Sequence, residues 1–141
     1  MRSALLVLAQ FASIAVLLLG GGWQLPWWAW GFFALGLVVL AWAAVSLGGN
    51  NLTYMPDPRQ GNTLSQRGIY RFIRHPMYAA VLLCGVAVSF GAPSTWRWVA
   101  LGVCAVVLVI KVHHEEMLLT AKHPDYPQRM KGVARLVPFI W

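Results

Sequence analysis

The chain has 141 residues, of which 59% are hydrophobic and only 11% are charged, and its mean hydropathy is +0.62. A soluble globule normally carries about twice that share of charge, so this composition excludes a water-soluble fold and requires apolar surface in contact with lipid. The net charge is +7. The basic residues lie beside apolar segments and form no soluble basic face, which argues against nucleic acid as a partner.

Four apolar stretches, at about 4–19, 27–47, 76–90 and 96–110, predict transmembrane helices. The first stretch also fits a secretion signal, but it has no small-x-small cleavage site before Trp23, so we interpret it as a retained helix. The helical pattern of the fourth continues to about residue 121, because nothing breaks it before Pro124. We therefore predict one all-α integral membrane domain with four transmembrane helices and a C-terminal cytoplasmic interfacial segment. The predicted parts are two N-terminal transmembrane helices in 1–48, a basic loop in 49–75, and a transmembrane hairpin with the C-terminal segment in 76–141.

Charge is distributed unequally between the two predicted faces of the membrane. Ten of the eleven basic residues, every acid and every histidine lie on one side, and Arg97 alone lies on the other. The positive-inside rule places the basic side and both termini in the cytoplasm, which for a bacterial-type protein means the inner membrane. No ionisable residue lies in the middle of a span, and this argues against a proton-coupled transporter or an ion pump.

The segment Gly68-Ile69-Tyr70-Arg71-Phe72-Ile73-Arg74-His75-Pro76-Met77-Tyr78 is the first candidate for chemistry. Proline suits the first turn of a helix, so Pro76 predicts the start of the third span and leaves Arg74 and His75 at its cytoplasmic mouth. A helix start flanked by arginine and histidine attracts anions. The alternative interpretation is an interfacial anchor, with arginines facing lipid phosphates.

The segment Lys111-Val112-His113-His114-Glu115-Glu116 is the second candidate. Two adjacent carboxylates beside a membrane need a cationic or hydrogen-donating partner. A metal site is disfavoured, because neighbouring helical residues point about 100° apart and no H-E-x-x-H pattern occurs. A solvated helix end with a Lys111–Glu115 pair remains the plain alternative. The third candidate, the tail 126–141, fits a segment that closes over a site or an interfacial anchor.

Three patterns in order, G-x-Y-x-x-x-R-H-P-x-Y, E-E-x-L-L and V-x-x-x-x-P-F-I, resemble the isoprenylcysteine carboxyl methyltransferase family over about residues 60–141. They resemble the phospholipid N-methyltransferases more loosely. The resemblance implies an S-adenosylmethionine-dependent methyltransferase acting on a lipophilic or lipid-attached acceptor. The family has an arginine directed at the substrate where this chain has Lys111, and lysine lacks the bidentate fork for a carboxylate.

The resemblance also implies the site residues. The candidate catalytic residues are His75, Lys111 and Arg135. The candidate cofactor-binding residues are Asn62, Thr63, Leu64, Ser65, Tyr70, His75, Pro76, Met77, Tyr78, Glu115 and Glu116. No metal is predicted. If the acceptor is an amine it must lose a proton, whereas a carboxylate acceptor need not.

Two other functions stay open at this point. Membrane sterol-type reductases have a similar R-H-P-x-Y and use NADPH, although adjacent glutamates would repel the phosphate of that cofactor. The second alternative is a non-enzymatic four-helix membrane protein. Within this class a small multidrug transporter is disfavoured, because such transporters depend on an intramembrane carboxylate that is missing here. Neither the acceptor nor the oligomeric state follows from the sequence.

Overall fold

The computed structural model of the chain describes residues 2–48, 65–138 and 141. Its helices are α1 (Arg2–Leu19), α2 (Trp27–Leu47), α3 (Pro76–Gly91), α4 (Thr95–Lys122) and the short α5 (Tyr126–Arg129), and a 3-10 turn spans Gly68–Arg71. The described part of the chain contains no β-strand. The all-α prediction and the predicted extents of the four apolar helices are therefore confirmed.

The helix ends follow from local chemistry. Pro76 occupies the first turn of α3 and His75 is its N-cap, as expected for a residue that has no N–H to leave unpaired. The Ser94 hydroxyl caps α4 by accepting a hydrogen bond from the backbone N–H of Arg97 at 3.2 Å. Gly48 ends α2 with a positive φ of 77°, a conformation that glycine adopts without steric strain.

Two of the helices, α2 and α4, are long and apolar enough to cross a membrane. The helices α1 and α3 are shorter, with 18 and 16 residues, or about 24–27 Å at 1.5 Å per residue, against a hydrocarbon core of about 30 Å. Large apolar side chains are exposed on all four helices. Exposing this much apolar surface to water is unfavourable, and such surface is typical of helices that contact lipid.

The four long helices pack as neighbours around a shared apolar core. Helix α2 lies against α3, α1 lies against α4 and α3, and α3 also contacts α4. Gly36 of α2 meets Cys84 and the backbone of Ala80 on α3 so closely that an added Cβ would collide with them. Small residues at this crossing let the two helix backbones approach, which is how helices associate in lipid.

Arg97 ties together the helix ends opposite the candidate site. Its side chain is fully buried, and its guanidinium donates hydrogen bonds of 2.8–3.2 Å to the carbonyls of Leu17, Gly21, Gly22 and Ala92. The acceptors are carbonyls at the ends of α1 and α3 and in the α1–α2 connection, groups that lack helical partners. Arg97, the one basic residue that the sequence places apart from the others, therefore holds these helix ends together and acts as a structural staple.

Candidate active site

The tail is paired to the segment that leads into α3. The backbone N–H of Arg74 donates to the carbonyl of Ala134 at 2.8 Å, and that of His75 donates to Arg135 at 3.0 Å. Ile73 and Ala134 form an isolated parallel bridge. The tail therefore lies against the residues around His75, which agrees with the interpretation that it closes over a site.

The His75 ring sits between two carboxylates. Its Nδ1 is 3.5 Å from Glu115 Oε2 and its Nε2 is 3.5 Å from Glu116 Oε1. Burial lowers the pKa of His75, but the contacts and charges of both glutamates outweigh burial and raise that pKa above 6.5. Nε2 is nevertheless buried without a hydrogen-bond partner of good geometry among the described residues. A buried, unsatisfied ring nitrogen of this kind is a position where a ligand atom would be stabilised.

The two adjacent glutamates have different partners. Glu116 accepts hydrogen bonds from Arg74 Nη1 and Arg135 Nε, both at 3.1 Å. Glu115 accepts one, from the hydroxyl of Tyr78 at 2.9 Å, and makes no ion pair with a described lysine or arginine. The side chain of Glu115 is 28% exposed against 12% for Glu116. Glu115 is therefore the carboxylate with acceptor capacity left for a ligand, and Glu116 is occupied.

Arg74 holds the tail in place, whereas the sequence predicts only that it lies beside His75 at the mouth of α3. Besides its ion pair with Glu116, its Nε donates to the carbonyl of Val133 at 2.9 Å and its Nη2 to that of Met130 at 2.8 Å. One guanidinium thus fixes both α4 and the tail beside His75. The one feature of the sequence that could have indicated this role is the position of Arg74 immediately before His75.

Lys111 is buried and faces the interior of the helix bundle. Its Nζ donates to Gln10 Oε1 at 2.5 Å and lies 5.0 Å from the centroid of the Tyr78 ring. No carboxylate of the described residues lies within 4 Å of it, so the alternative interpretation with a Lys111–Glu115 pair is wrong. The helix turns Lys111 toward α1, and Glu115 is engaged by Tyr78 and His75. Gln10 was missed, although a polar side chain inside an apolar span is itself a functional signal.

An apolar cavity of about 380 Å³ opens between α1, α2 and α3. Side chains such as Phe11, Leu37 and Val81 line it, and Lys111 and Tyr78 lie on its wall. Pockets of this size hold small ligands that are mostly apolar with a few polar anchors. Tyr78 therefore borders both the cavity and the cluster of His75 and the glutamates.

The structure describes four of the remaining predicted cofactor residues: Ser65, Tyr70, Pro76 and Met77. Tyr70 is buried and packs with Met77 against Ala43 of α2. Burial and the charge of Glu115 raise the pKa of Tyr70, so its phenol stays protonated. The Ser65 hydroxyl instead donates to the carbonyl of Ser46 at 3.0 Å. Three predicted residues lie outside the described part of the chain: Asn62, Thr63 and Leu64.

Comparison with known proteins identifies the family. The family model described as phospholipid methyltransferase matches residues 25–125. The chain belongs to this family. Its membership makes the chain a membrane methyltransferase and confirms the resemblance found in the sequence. The match begins upstream of the expected region, at α2, and stops before the tail. No curated protein and no solved structure matches the chain.

Proposed function

We propose that this membrane methyltransferase uses S-adenosylmethionine to methylate a lipophilic or lipid-attached acceptor. The observation that carries the proposal is the shared position of Tyr78. Its ring lines the apolar cavity, while its hydroxyl binds Glu115 in the polar cluster. A polar donor and an apolar acceptor can therefore approach one another from opposite sides of one side chain.

The residues of the polar cluster fit this cofactor. Glu115 has acceptor capacity for an ammonium group or ribose hydroxyls, and the buried His75 Nε2 at the start of α3 offers an unpaired ring nitrogen to a ligand atom. S-adenosylmethionine supplies an electrophilic methyl group on its sulfonium. The chain's own contribution is then to orient the two reactants and exclude water, which the buried His75 and the paired tail serve.

Lys111 and Gln10 favour an acceptor with an anionic or hydrogen-bond-accepting oxygen in its head group. Lys111 is 2% exposed and no carboxylate of the described residues pairs with it. A buried cation is stabilised when an opposite charge reaches it. We therefore expect the apolar part of the acceptor in the cavity and its charged oxygen near Lys111. A carboxylate and a phospholipid phosphate both supply such an oxygen.

The topology completes the proposal. We place all four long helices across an inner-type membrane with both termini in the cytoplasm. The basic residues concentrated on the side of His75 support this orientation. The cofactor then enters from the cytoplasm and the acceptor from the bilayer.

Two measurements test the cofactor and the reaction. Membranes containing the full chain are incubated with methyl-labelled S-adenosylmethionine, and the lipid-phase product that gains the label is identified. Isothermal titration of the purified protein compares S-adenosylmethionine with NADPH. We expect S-adenosylmethionine binding that weakens in His75→Ala and Glu115→Ala. Tight NADPH binding without S-adenosylmethionine binding would establish a reductase instead.

A Lys111→Met variant tests the acceptor side separately. Methionine replaces the buried cation with an apolar chain of similar length, so the fold is retained. We expect S-adenosylmethionine affinity to stay the same and the acceptor KM to rise about tenfold or more, the value of a charge-assisted contact. Lys131→Met, at an exposed lysine of the tail, is the matched control. An unchanged acceptor KM in Lys111→Met would contradict this role.

A further inference from the structure

A second concavity, separate from the apolar cavity, opens where the tail crosses the segment before α3. Its volume is about 450 Å³, and its wall includes Arg71, Arg74, Arg135, Phe72 and Trp141. We call it the arginine groove. His75, Glu115 and Glu116 are not among its lining residues. Arg74 and Arg135 reach from its wall to Glu116, so the groove borders the polar cluster that we assign to the methyl donor without containing it.

The arginine groove has more positive than negative charge. Arg74 and Arg135 share one carboxylate, that of Glu116. Arg71 is exposed and forms no ion pair with the described residues. Arg135 uses only its Nε toward Glu116, and its two terminal nitrogens have no acceptor in the described ranges. Guanidinium groups with unused donors in a fork bind phosphate or carboxylate oxygens.

The rim of the arginine groove is apolar and aromatic. Phe72 is 62% exposed and Trp141 is 38% exposed. The Arg135 guanidinium lies over the Trp141 ring at 5.3 Å from its centroid. Exposed aromatic side chains beside arginines, next to the ends of membrane helices, match the headgroup layer of a bilayer. A soluble anion would gain nothing from this rim.

We propose that the arginine groove binds the phosphate of an anionic phospholipid, as a site separate from both methyl donor and acceptor. The phosphate contacts Arg71 and the free donors of Arg135, and the acyl chains leave along Phe72 and Trp141. The tail supplies Arg135 and Trp141, so a bound lipid also holds the tail against the segment before α3. The proposal does not depend on the methyl transfer reaction.

Native mass spectrometry of the full chain, released from detergent and titrated with lipid, tests this site. Phosphatidylglycerol is compared with phosphatidylcholine for the unmodified chain, Arg71→Gln and Arg67→Gln. Arg67 is the matched control, since it is an exposed arginine four residues earlier that does not line the groove. We expect preferential binding of phosphatidylglycerol, an affinity about fivefold lower in Arg71→Gln, and no change in Arg67→Gln. Circular dichroism verifies that both variants fold.

Competition identifies the source of the phosphate. We expect that neither millimolar inorganic phosphate nor S-adenosylhomocysteine displaces phosphatidylglycerol. Displacement by inorganic phosphate would make this a site for soluble anions, and displacement by S-adenosylhomocysteine would assign the groove to the methyl donor. Either result overturns the proposal, as does equal lipid affinity of the two variants. Methyl transfer is measured on its own, so a failure here leaves the proposed function standing.

Discussion

Glu115 and Glu116 are adjacent, yet their contacts predict opposite consequences when each charge is removed. Glu116→Gln takes the negative charge from two partly buried ion pairs, with Arg74 and Arg135. Breaking a fully buried pair costs about 3–5 kcal/mol. The side chains here are 12–35% exposed, so we discount the loss for screening to about 2–3 kcal/mol. Glu115→Gln keeps an amide oxygen for the Tyr78 hydroxyl, and its loss stays below about 1 kcal/mol.

Two assays in one detergent separate the variants. In denaturant unfolding, we expect the free energy of unfolding to fall by about 2–3 kcal/mol in Glu116→Gln and by less than about 1 kcal/mol in Glu115→Gln. Limited trypsin digestion should cut Glu116→Gln faster after Lys131, because the tail loses its ionic contact with α4. Glu115→Gln should digest like the unmodified chain and lose affinity for S-adenosylmethionine. Equal stability of the two variants, or faster tail cleavage in Glu115→Gln, would refute the division of roles.

Three further predictions concern stability. The raised pKa of His75 means that its protonated form stabilises the fold fully below pH 6.5, and this stabilisation is lost as pH rises through the folded-state pKa. The free energy of unfolding, measured across pH 5–9, should therefore fall with pH in the unmodified chain and lose this pH dependence in His75→Gln. An unchanged pH dependence in the variant would exclude His75 as its source. Arg97→Met leaves buried carbonyls unpaired and should lower the free energy of unfolding by about 3–5 kcal/mol, against less than about 0.5 kcal/mol for the exposed Arg67→Met. Comparable losses in the two variants would contradict the claim that Arg97 holds the helix ends together. Gly68 has a φ of 53° and no room for a Cβ beside Ser46, so Gly68→Ala should lower the free energy of unfolding by about 1–3 kcal/mol. An unaltered midpoint of denaturant unfolding would contradict this, because it would mean that the turn accommodates the Cβ.

The helices were predictable because each apolar run ends at a local signal. Proline begins α3 and glycine ends α2, and both act through their own backbone geometry. No knowledge of distant residues is needed for these boundaries. The position of His75 at the mouth of α3 followed from the same local rule.

The partners of the charged residues were not predictable in this way. Arg97 bonds to Leu17, 80 residues away, and Lys111 bonds to Gln10, 101 residues away. These pairings depend on which helices become neighbours, and α1 against α4 is a property of packing that apolar periodicity does not encode. From sequence, Lys111 had a nearer carboxylate at the i,i+4 position. In the folded protein, Lys111 makes the buried contact with Gln10 and no ion pair with Glu115.

The helical angle that argued against a metal site explains how one short segment serves two purposes. Consecutive residues of α4 point about 100° apart, so Glu115 and Glu116 have different hydrogen-bond partners beyond the His75 that they share. Glu116 turns toward the arginines that hold the tail, and Glu115 turns toward Tyr78 at the border of the apolar cavity. His75 contacts both. The contacts that hold the tail and those proposed to bind the cofactor therefore meet at one buried imidazole, while each glutamate keeps a role of its own.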